Sequence, residues 1–381
     1  MGPLQGVKII EVAGIGPGPF AAMMLSDMGA DVVRVDRPPR GVGVQGVGAP
    51  PRTDVLARGR RSVAVDLKQP GGVDVVLRLA DRADVLVESY RPGVAERLGL
   101  GPDLCLARNP GLVYGRMTGW GQEGPWAGMA GHDIDYAALA GALHGIGPAA
   151  GPPAVPLNYL ADFGGGGAFL AFGVACALVE RARSGRGQVV DAAMVDGVAA
   201  LGAMVHGLLA AGAWVDRREA NLLDGGAPFY RCYATADGGH VAVGALEPQF
   251  YAALMGEVGL DAGAWPQHDR SRWPALGADL ADRFAAETRD AWAARFEGTD
   301  ACVAPVLSLS EARTHPHLAA RATFVEHEGL PQPATAPRLS RTPGALGRPP
   351  VLPGQHTDEI LTEAGLSPAQ VADLRATGAV A

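Results

Sequence analysis

Lysine is almost absent: Lys8 and Lys68 are the only two among 32 basic residues, the rest being arginine. Against 40 acidic residues this leaves a formal net charge of −8. That balance argues against a nucleic-acid or anionic-membrane surface over the whole molecule, while local arginine clusters can still hold a phosphorylated ligand. Cysteine is scarce too. Cys105, Cys176, Cys232 and Cys302 lie far apart with no CxxC, and Cys176 falls in an apolar run. Neither a disulfide framework nor a zinc site is expected, and reduced, mostly structural thiols point to the cytoplasm. Residues Met1 to Gly6 lack a basic region followed by an apolar stretch, so no signal peptide is expected. The nearest thing to a membrane span, Gly197 to Val215, is rich in Gly and Ala, contains His206 and lacks aromatic or basic anchors. It reads as a buried helix, and no membrane partner is expected.

What is present is a chain of 381 residues with 48% apolar and 19% charged side chains, enough for a sizeable core and, at this length, for two domains. The first part alternates short apolar strands (Val7 to Val12, Ala30 to Asp36, Val63 to Asp66, Asp84 to Val87, Leu112 to Met117) with helices (Pro19 to Met28, Gly72 to Asp81). Such alternation predicts an α/β fold with a parallel, doubly wound sheet, and Gly29 is placed to end the first helix. Helices from Ala168 to Ala182 and from Asp191 to about Trp214 are expected next. Beyond the break at Asp224-Gly225-Gly226, two short strands (Tyr230 to Thr235, His240 to Gly244) and three helices predict a smaller α+β domain. A proline-rich connection, Pro331 to Pro353, leads to a final helical stretch.

Two proton carriers stand out. His132 lies within Gly131-His132-Asp133-Ile134-Asp135-Tyr136, and Asp162 stands just before Gly164-Gly165-Gly166-Gly167, which opens the apolar run Ala168 to Val179. Asp162 is thus expected at a helix start, where unpaired N–H groups and the dipole favour negative charge. Taken singly, the histidine reads as a structural donor and the aspartate as an N-cap.

Gly14-Ile15-Gly16-Pro17-Gly18-Pro19 follows a strand and opens a helix, with Asp36 ending the next strand, a placement shared with NAD-binding folds. The spacing is GxGxG rather than GxGxxG, Pro17 and Pro19 remove N–H groups that a pyrophosphate would use, and Arg37 follows Asp36 at once. The dinucleotide reading is therefore set aside. Arg37, Arg58, Arg60, Arg61, Lys68, Arg91 and Arg97 lie at expected strand ends or in the loops after them. In open parallel sheets ligands bind beyond the carboxyl ends of the strands, so these charges are expected to converge on a multiply phosphorylated ligand.

Several segments carry a resemblance: Gly29-Ala30-Asp31-Val32-Val33-Arg34-Val35-Asp36, Tyr90-Arg91-Pro92-Gly93, Gly185-Arg186-Gly187-Gln188-Val189-Val190-Asp191 and Gly354-Gln355-His356-Thr357-Asp358-Glu359-Ile360-Leu361. Over nearly its whole length the chain resembles the class III CoA-transferase and α-methylacyl-CoA racemase superfamily. Thr118-Gly119-Trp120-Gly121-Gln122, the segment around His132, and Gly226-Ala227-Pro228-Phe229-Tyr230 leading to Glu247-Pro248-Gln249-Phe250 are similar to its racemase branch. The resemblance implies a large Rossmann-like, CoA-binding domain over 1–190 completed by 331–381, a linker helix over 191–224, and a small domain over 225–330. It also implies an interlocked homodimer whose active sites are shared between the large domain of one subunit and the small domain of the other. Carried over by position, His132 and Asp162 match the two catalytic bases and Glu247 the acid that partners the histidine. Arg37, Leu67, Lys68, Arg91 and Arg97 fall where adenine and phosphates are held, and Asp133 and Tyr136 beside the pantetheine end. Gly41 to Thr53 matches no family motif.

The reaction so implied inverts C2 of a 2-methylacyl-CoA thioester by moving a proton from one face to the other through an enolate. A mismatch of even ten pKa units between the C–H and the base amounts to roughly 14 kcal/mol, beyond what base placement supplies. The enolate oxygen must be stabilised, and backbone N–H groups of the glycine run are the expected donors. No metal and no separate cofactor is called for, CoA being part of the substrate. The alternative is a CoA transferase in which Asp162 is the nucleophile of an acyl-enzyme anhydride.

Overall fold

A computed structural model describes residues 2–38 and 50–381. The chain divides into two compact units: 1–140, 157–201 and 322–381 form the first, and 141–156 with 202–321 the second. Compared with the expected boundaries, 191–201 and 322–330 belong to the first unit and 141–156 to the second.

The first unit is built on six parallel strands. β1 (Lys8–Val12) leads through α1 (Pro17–Asp27) to β2 (Asp31–Asp36); β3 (Arg60–Ala64), α2 (Gly72–Ala80) and β4 (Val85–Glu88) follow. Next come α3 (Val94–Arg97), α4 (Pro102–Arg108), β5 (Val113–Thr118) and α5 (Asp133–Leu139). A π-helix, Tyr159–Gly167, runs on into α6 (Ala168–Ser184), then β6 (Val189–Ala193) and α7 (Met194–Leu201). The strand order is β3-β2-β1-β4-β5-β6. β1 aligns Ile10 with Val33 on one side and with Leu86 on the other, so it lies at the centre, where the winding direction reverses.

Local chemistry accounts for these elements. The inner strands are mostly apolar and buried along nearly their whole length, Glu11, Glu88 and Arg116 included, because helices cover both faces of a parallel sheet. α1 starts at Gly16, whose φ of 74° needs no Cβ, and has Pro17 at its first position. It ends as expected at Gly29, where the N–H of Gly29 donates to Ser26 O and that of Ala30 to Leu25 O, a Schellman closure. The core on one sheet face joins Ile10, Val33, Val63, Leu86 and Tyr114 to Ile360 and Leu361 of the C-terminal helix Thr357–Glu363. The end of the chain also meets the β3 side of the sheet: Val65 bridges Val380, and the N–H of His356 donates to Ser62 O. Both ends of the sequence thus build one Rossmann-like unit.

Three local expectations change. Val189–Ala193 is a sixth strand in register with β5, Tyr114 opposite Val189, rather than part of a helix beginning at Asp191. A short apolar run suits either state by periodicity, and pairing with β5 decides. The 197–215 stretch is likewise broken at Gly202. Among the described residues the helix long and apolar enough to cross a membrane, by length and composition alone, is Tyr159–Ser184, and it packs against α1, β5 and β6. Finally, the proline-rich connection is preceded and entered by a hairpin, Phe324–His327 paired with Leu330–Pro333.

Arg58, Arg60 and Arg61 do not reach a ligand. β3 opens at Arg60, so all three sit at the amino end of the sheet, and all are buried in internal pairs. Arg60 donates to Glu11, and Arg61 to Asp31, Glu359 and Glu363. Arg58 holds Asp27 at 2.5 and 3.1 Å and donates to Gln332 Oε1 and Pro333 O at 2.9 Å each. Removing one partner of such a buried pair strands the other, so Arg58→Ala is expected to lower unfolding free energy by about 3–5 kcal/mol. A urea midpoint matching that of the unaltered protein would refute this assignment.

The second unit contains α8 (Ala203–Ala210), β7 (Tyr230–Ala234), β8 (His240–Gly244), α9 (Pro248–Glu257), α10 (Trp273–Phe284), α11 (Arg289–Phe296) and β9 (Val303–Pro305). β7, β8 and β9 form an antiparallel sheet, one strand more than expected. Its core is aromatic: Phe229, Tyr233, Phe284 and Trp292 are buried, and Tyr233 stacks on Phe284 at 5.1 Å.

Candidate active site

In an open sheet of this order the crevice lies beyond the carboxyl ends of β1 and β4, where the strand order reverses. The glycine turn after β1 serves close packing there. A Cβ on Gly18 would stand 2.3 Å from Ser89 Oγ, in the loop after β4, and one on Gly16 would stand 3.2 Å from Asp162 Oδ2. The turn thus brings Asp162 to the mouth of the crevice. Asp36 is not available to a ribose: it is buried, and its Oδ2 accepts from Arg34 Nε at 2.8 Å and Ser62 Oγ at 2.5 Å.

Asp162 and His132 are brought together. Burial pushes the Asp162 carboxyl above its ordinary range, and nearby Asp133 adds to this; the Asn158 amide and His132 act the other way. Asn158 donates to Asp162 Oδ2 at 3.4 Å. The sequence reading passed over Asn158, although an Asn four residues before an Asp can meet it on one helical face. Asp162 lies in the first turn of its helix, as expected, but the glycines after it do not open that helix. The helix begins at Tyr159, and the four glycines lie inside its π-turns, so their N–H groups belong to the i→i+5 ladder and are not free for an oxyanion. Glycine is needed for contact instead: a Cβ on Gly165 would meet Val198 N at 2.8 Å, and one on Gly167 would meet Pro17 O at 2.7 Å.

His132 is the exposed N-cap of α5, its N–H donating to Asp135 Oδ2 at 2.9 Å. Asp133 and Tyr136 have scaffold contacts. Both are buried. Asp133 Oδ2 accepts the N–H groups of Ala161 and Asp162, each at 2.7 Å. The Tyr136 hydroxyl donates to Gly131 O, and its ring packs edge-on against Trp120 at 4.7 Å. Burial, with the charges of Asp162 and Asp135, pushes the Tyr136 phenol up to about 12.

Glu247 lies in the second unit as the exposed N-cap of α9, its carbonyl accepting the N–H of Tyr251 at 2.9 Å. Its side chain makes no capping bond, so the carboxylate is not committed to its own helix. In the first unit Arg37, Lys68 and Arg91 follow β2, β3 and β4, and Arg97 ends α3; all four are exposed. None forms an ion pair among the described residues. Arg37 and Arg91 thus stand just past the carboxyl ends of β2 and β4, on the crevice side of the sheet. Leu67 is half-buried against the core. Of the unmatched Gly41 to Thr53 segment, 41–49 lie outside the described residues. Among the thiols only Cys105 is buried; Cys176 faces outward from α6, contrary to its apolar sequence setting. No cluster of three or more His, Cys, Asp or Glu suited to a metal ion occurs among the described residues.

A mouse protein named alpha-methylacyl-CoA racemase is 48% identical over 375 residues, covering 97% of this chain and 96% of its own length. Its human counterpart of the same name is 46% identical over 377 residues, with the same coverage. The crystal structure of a CAIB/BAIF family protein from Brucella suis superposes with a TM-score of 0.81 at 26% identity, covering 95% of this chain and 99% of that one. The family model described as CoA-transferase family III matches residues 4–357, and the chain belongs to that family.

Proposed function

We propose that the protein is a racemase that inverts C2 of 2-methylacyl-CoA thioesters by proton transfer through an enolate, with His132 and Asp162 as the two bases. The observation that carries the reading is that Asp133, directly after His132, accepts the N–H of Asp162 at 2.7 Å, which sets an imidazole-bearing turn beside a carboxyl raised by burial, in a chain 48% identical to a racemase along nearly its full length. A raised carboxyl approaches imidazole in proton affinity, which lets each group act as base in one direction and as conjugate acid in the other. Since the glycine N–H groups lie within a helix, the enolate oxygen needs other donors. The first-turn N–H groups of Asp133 and Ile134, beside His132, have no intrahelical partner and suit that role. No separate cofactor enters, CoA arriving with the substrate; Arg37, Lys68, Arg91 and Arg97 would hold its phosphates and Leu67 its adenine.

Glu247 would hold the His132 imidazole in one tautomer and stabilise its cation, supplied by the small domain of a partner subunit in an interlocked homodimer. Exposed apolar side chains support such a dimer: Phe172 and Val179 on α6 are 69% and 57% exposed, and α8 has no buried residue.

Within the family the second reading is CoA transfer through an Asp162 anhydride. Incubating a single 2R or 2S 2-methylacyl-CoA with the protein in D2O, without an acid acceptor, separates the two. Racemisation with deuterium entering C2 is expected. Retained chirality without exchange, together with hydroxylamine trapping of an acyl group on Asp162, would establish the transferase instead.

A further inference from the structure

We infer that Asp133 is a positioning residue that sets how the two bases face each other, its carboxylate tying the turn that carries His132 to the helical turn that carries Asp162. This deepens the racemase reading and rests on it. Asp133 directly follows His132, whose own N–H is pinned by Asp135. A single atom of Asp133, Oδ2, takes the N–H of Asp162 and that of Ala161, both at 2.7 Å, across 29 and 28 residues of sequence. One base is therefore joined to the other through one side chain and two short stretches of backbone, with no flexible loop between them.

The bond pattern is unusual for a helix-start acid. Asp133 is the first residue of α5, yet its carboxylate satisfies the first turn of a different helix. That turn has donors to spare, because a π-helix leaves its first N–H groups without intrahelical acceptors. The second oxygen, Oδ1, is buried without a hydrogen-bond partner. An idle buried carboxylate oxygen is unfavourable for stability.

Charge supplies a second consequence. The groups acting on the Asp162 carboxyl are Asn158 from its own helix and Asp133 and His132 from α5 and its cap; Asp133 raises it, alongside burial. Neutralising Asp133 removes that contribution.

Asp133→Asn keeps an oxygen for the two N–H groups and loses the charge, whereas Asp133→Ala loses both. With Asp133→Ala, kcat for inversion is expected to fall about 10²-fold while KM stays within about threefold, since a displacement near 1 Å costs that much. Asp133→Asn is expected to restore kcat to within about fivefold of the unaltered enzyme. Its acid limb, for the epimer whose proton Asp162 removes, should move to lower pH, because the repelling charge is gone. Amide hydrogen exchange reads the tie without activity: the Ala161 and Asp162 amides should exchange about tenfold faster or more in Asp133→Ala and stay protected in Asp133→Asn. Protected amides in Asp133→Ala, a loss carried by KM, or an Asp133→Asn enzyme as slow as Asp133→Ala would overturn the inference. Should Asp133→Ala not fold, the amide protection and limb shift of Asp133→Asn decide alone. An unaltered protein that exchanges no C2 hydrogen would refute the racemase reading, and the amide exchange would still judge the tie.

Discussion

In an Asp162→Asn variant, inversion at C2 is expected to fall by about 10⁴-fold in both directions, while one epimer still trades its C2 hydrogen for deuterium and keeps its configuration. Inversion needs a base on one face and an acid on the other. An amide at 162 can serve as neither, so both directions lose a proton carrier in the transition state, a deficit of about 5.5 kcal/mol. His132 is untouched. The epimer whose C2–H faces His132 can still be deprotonated and re-deuterated from that same face, so exchange survives without racemisation. The other epimer should be inert. In the intact enzyme the raised Asp162 carboxyl should place the acid limb for its base direction above the ordinary carboxylate range, since the group must be ionised to accept a proton. Chiral chromatography and mass spectrometry of the recovered thioester read both outcomes. If Asp162→Asn racemises at an undiminished rate, the carboxylate is not a base.

His132→Ala is expected to give the mirror pattern. Inversion falls by about 10³-fold or more in both directions, and the surviving single-face exchange moves to the opposite epimer. Asp162 keeps its place, because its anchors are Asn158 and Asp133 rather than the imidazole. The two variants together are more telling than either alone. Equal and small effects on both epimers would count against opposed bases, and a pair of variants that spare the same epimer would put both groups on one face.

Much of this molecule could be read before any coordinates. Strands β1 to β5, helices α1 and α2, the stop at Gly29 and the strands β7 and β8 follow from local periodicity and turn chemistry, and they recur in the structure within a few residues, whereas α3 and α4 were not foreseen. β6 escaped because Val189–Ala193 is short, and its partner strand is contributed from more than seventy residues away. The arginines show the same limit. Arg58, Arg60 and Arg61 resemble phosphate ligands in a linear reading, whereas the fold puts them at the amino end of β3 among Asp27, Glu11 and Asp31. Only Arg37, Lys68, Arg91 and Arg97 remain exposed at the other end.

Residue types and motifs were therefore enough to name the fold class and the family and to single out His132 and Asp162 as candidates, because periodicity, glycine placement and motif identity are properties of neighbouring residues. Tertiary structure alone decided that the glycines after Asp162 lie within a π-helix, that Gly16 makes room for the carboxylate, and that Asp133, next to His132, reaches the backbone of Asp162. Those facts depend on close approach between segments distant in the chain: a Cβ that would not fit, and a carboxylate 2.7 Å from N–H groups nearly thirty residues away.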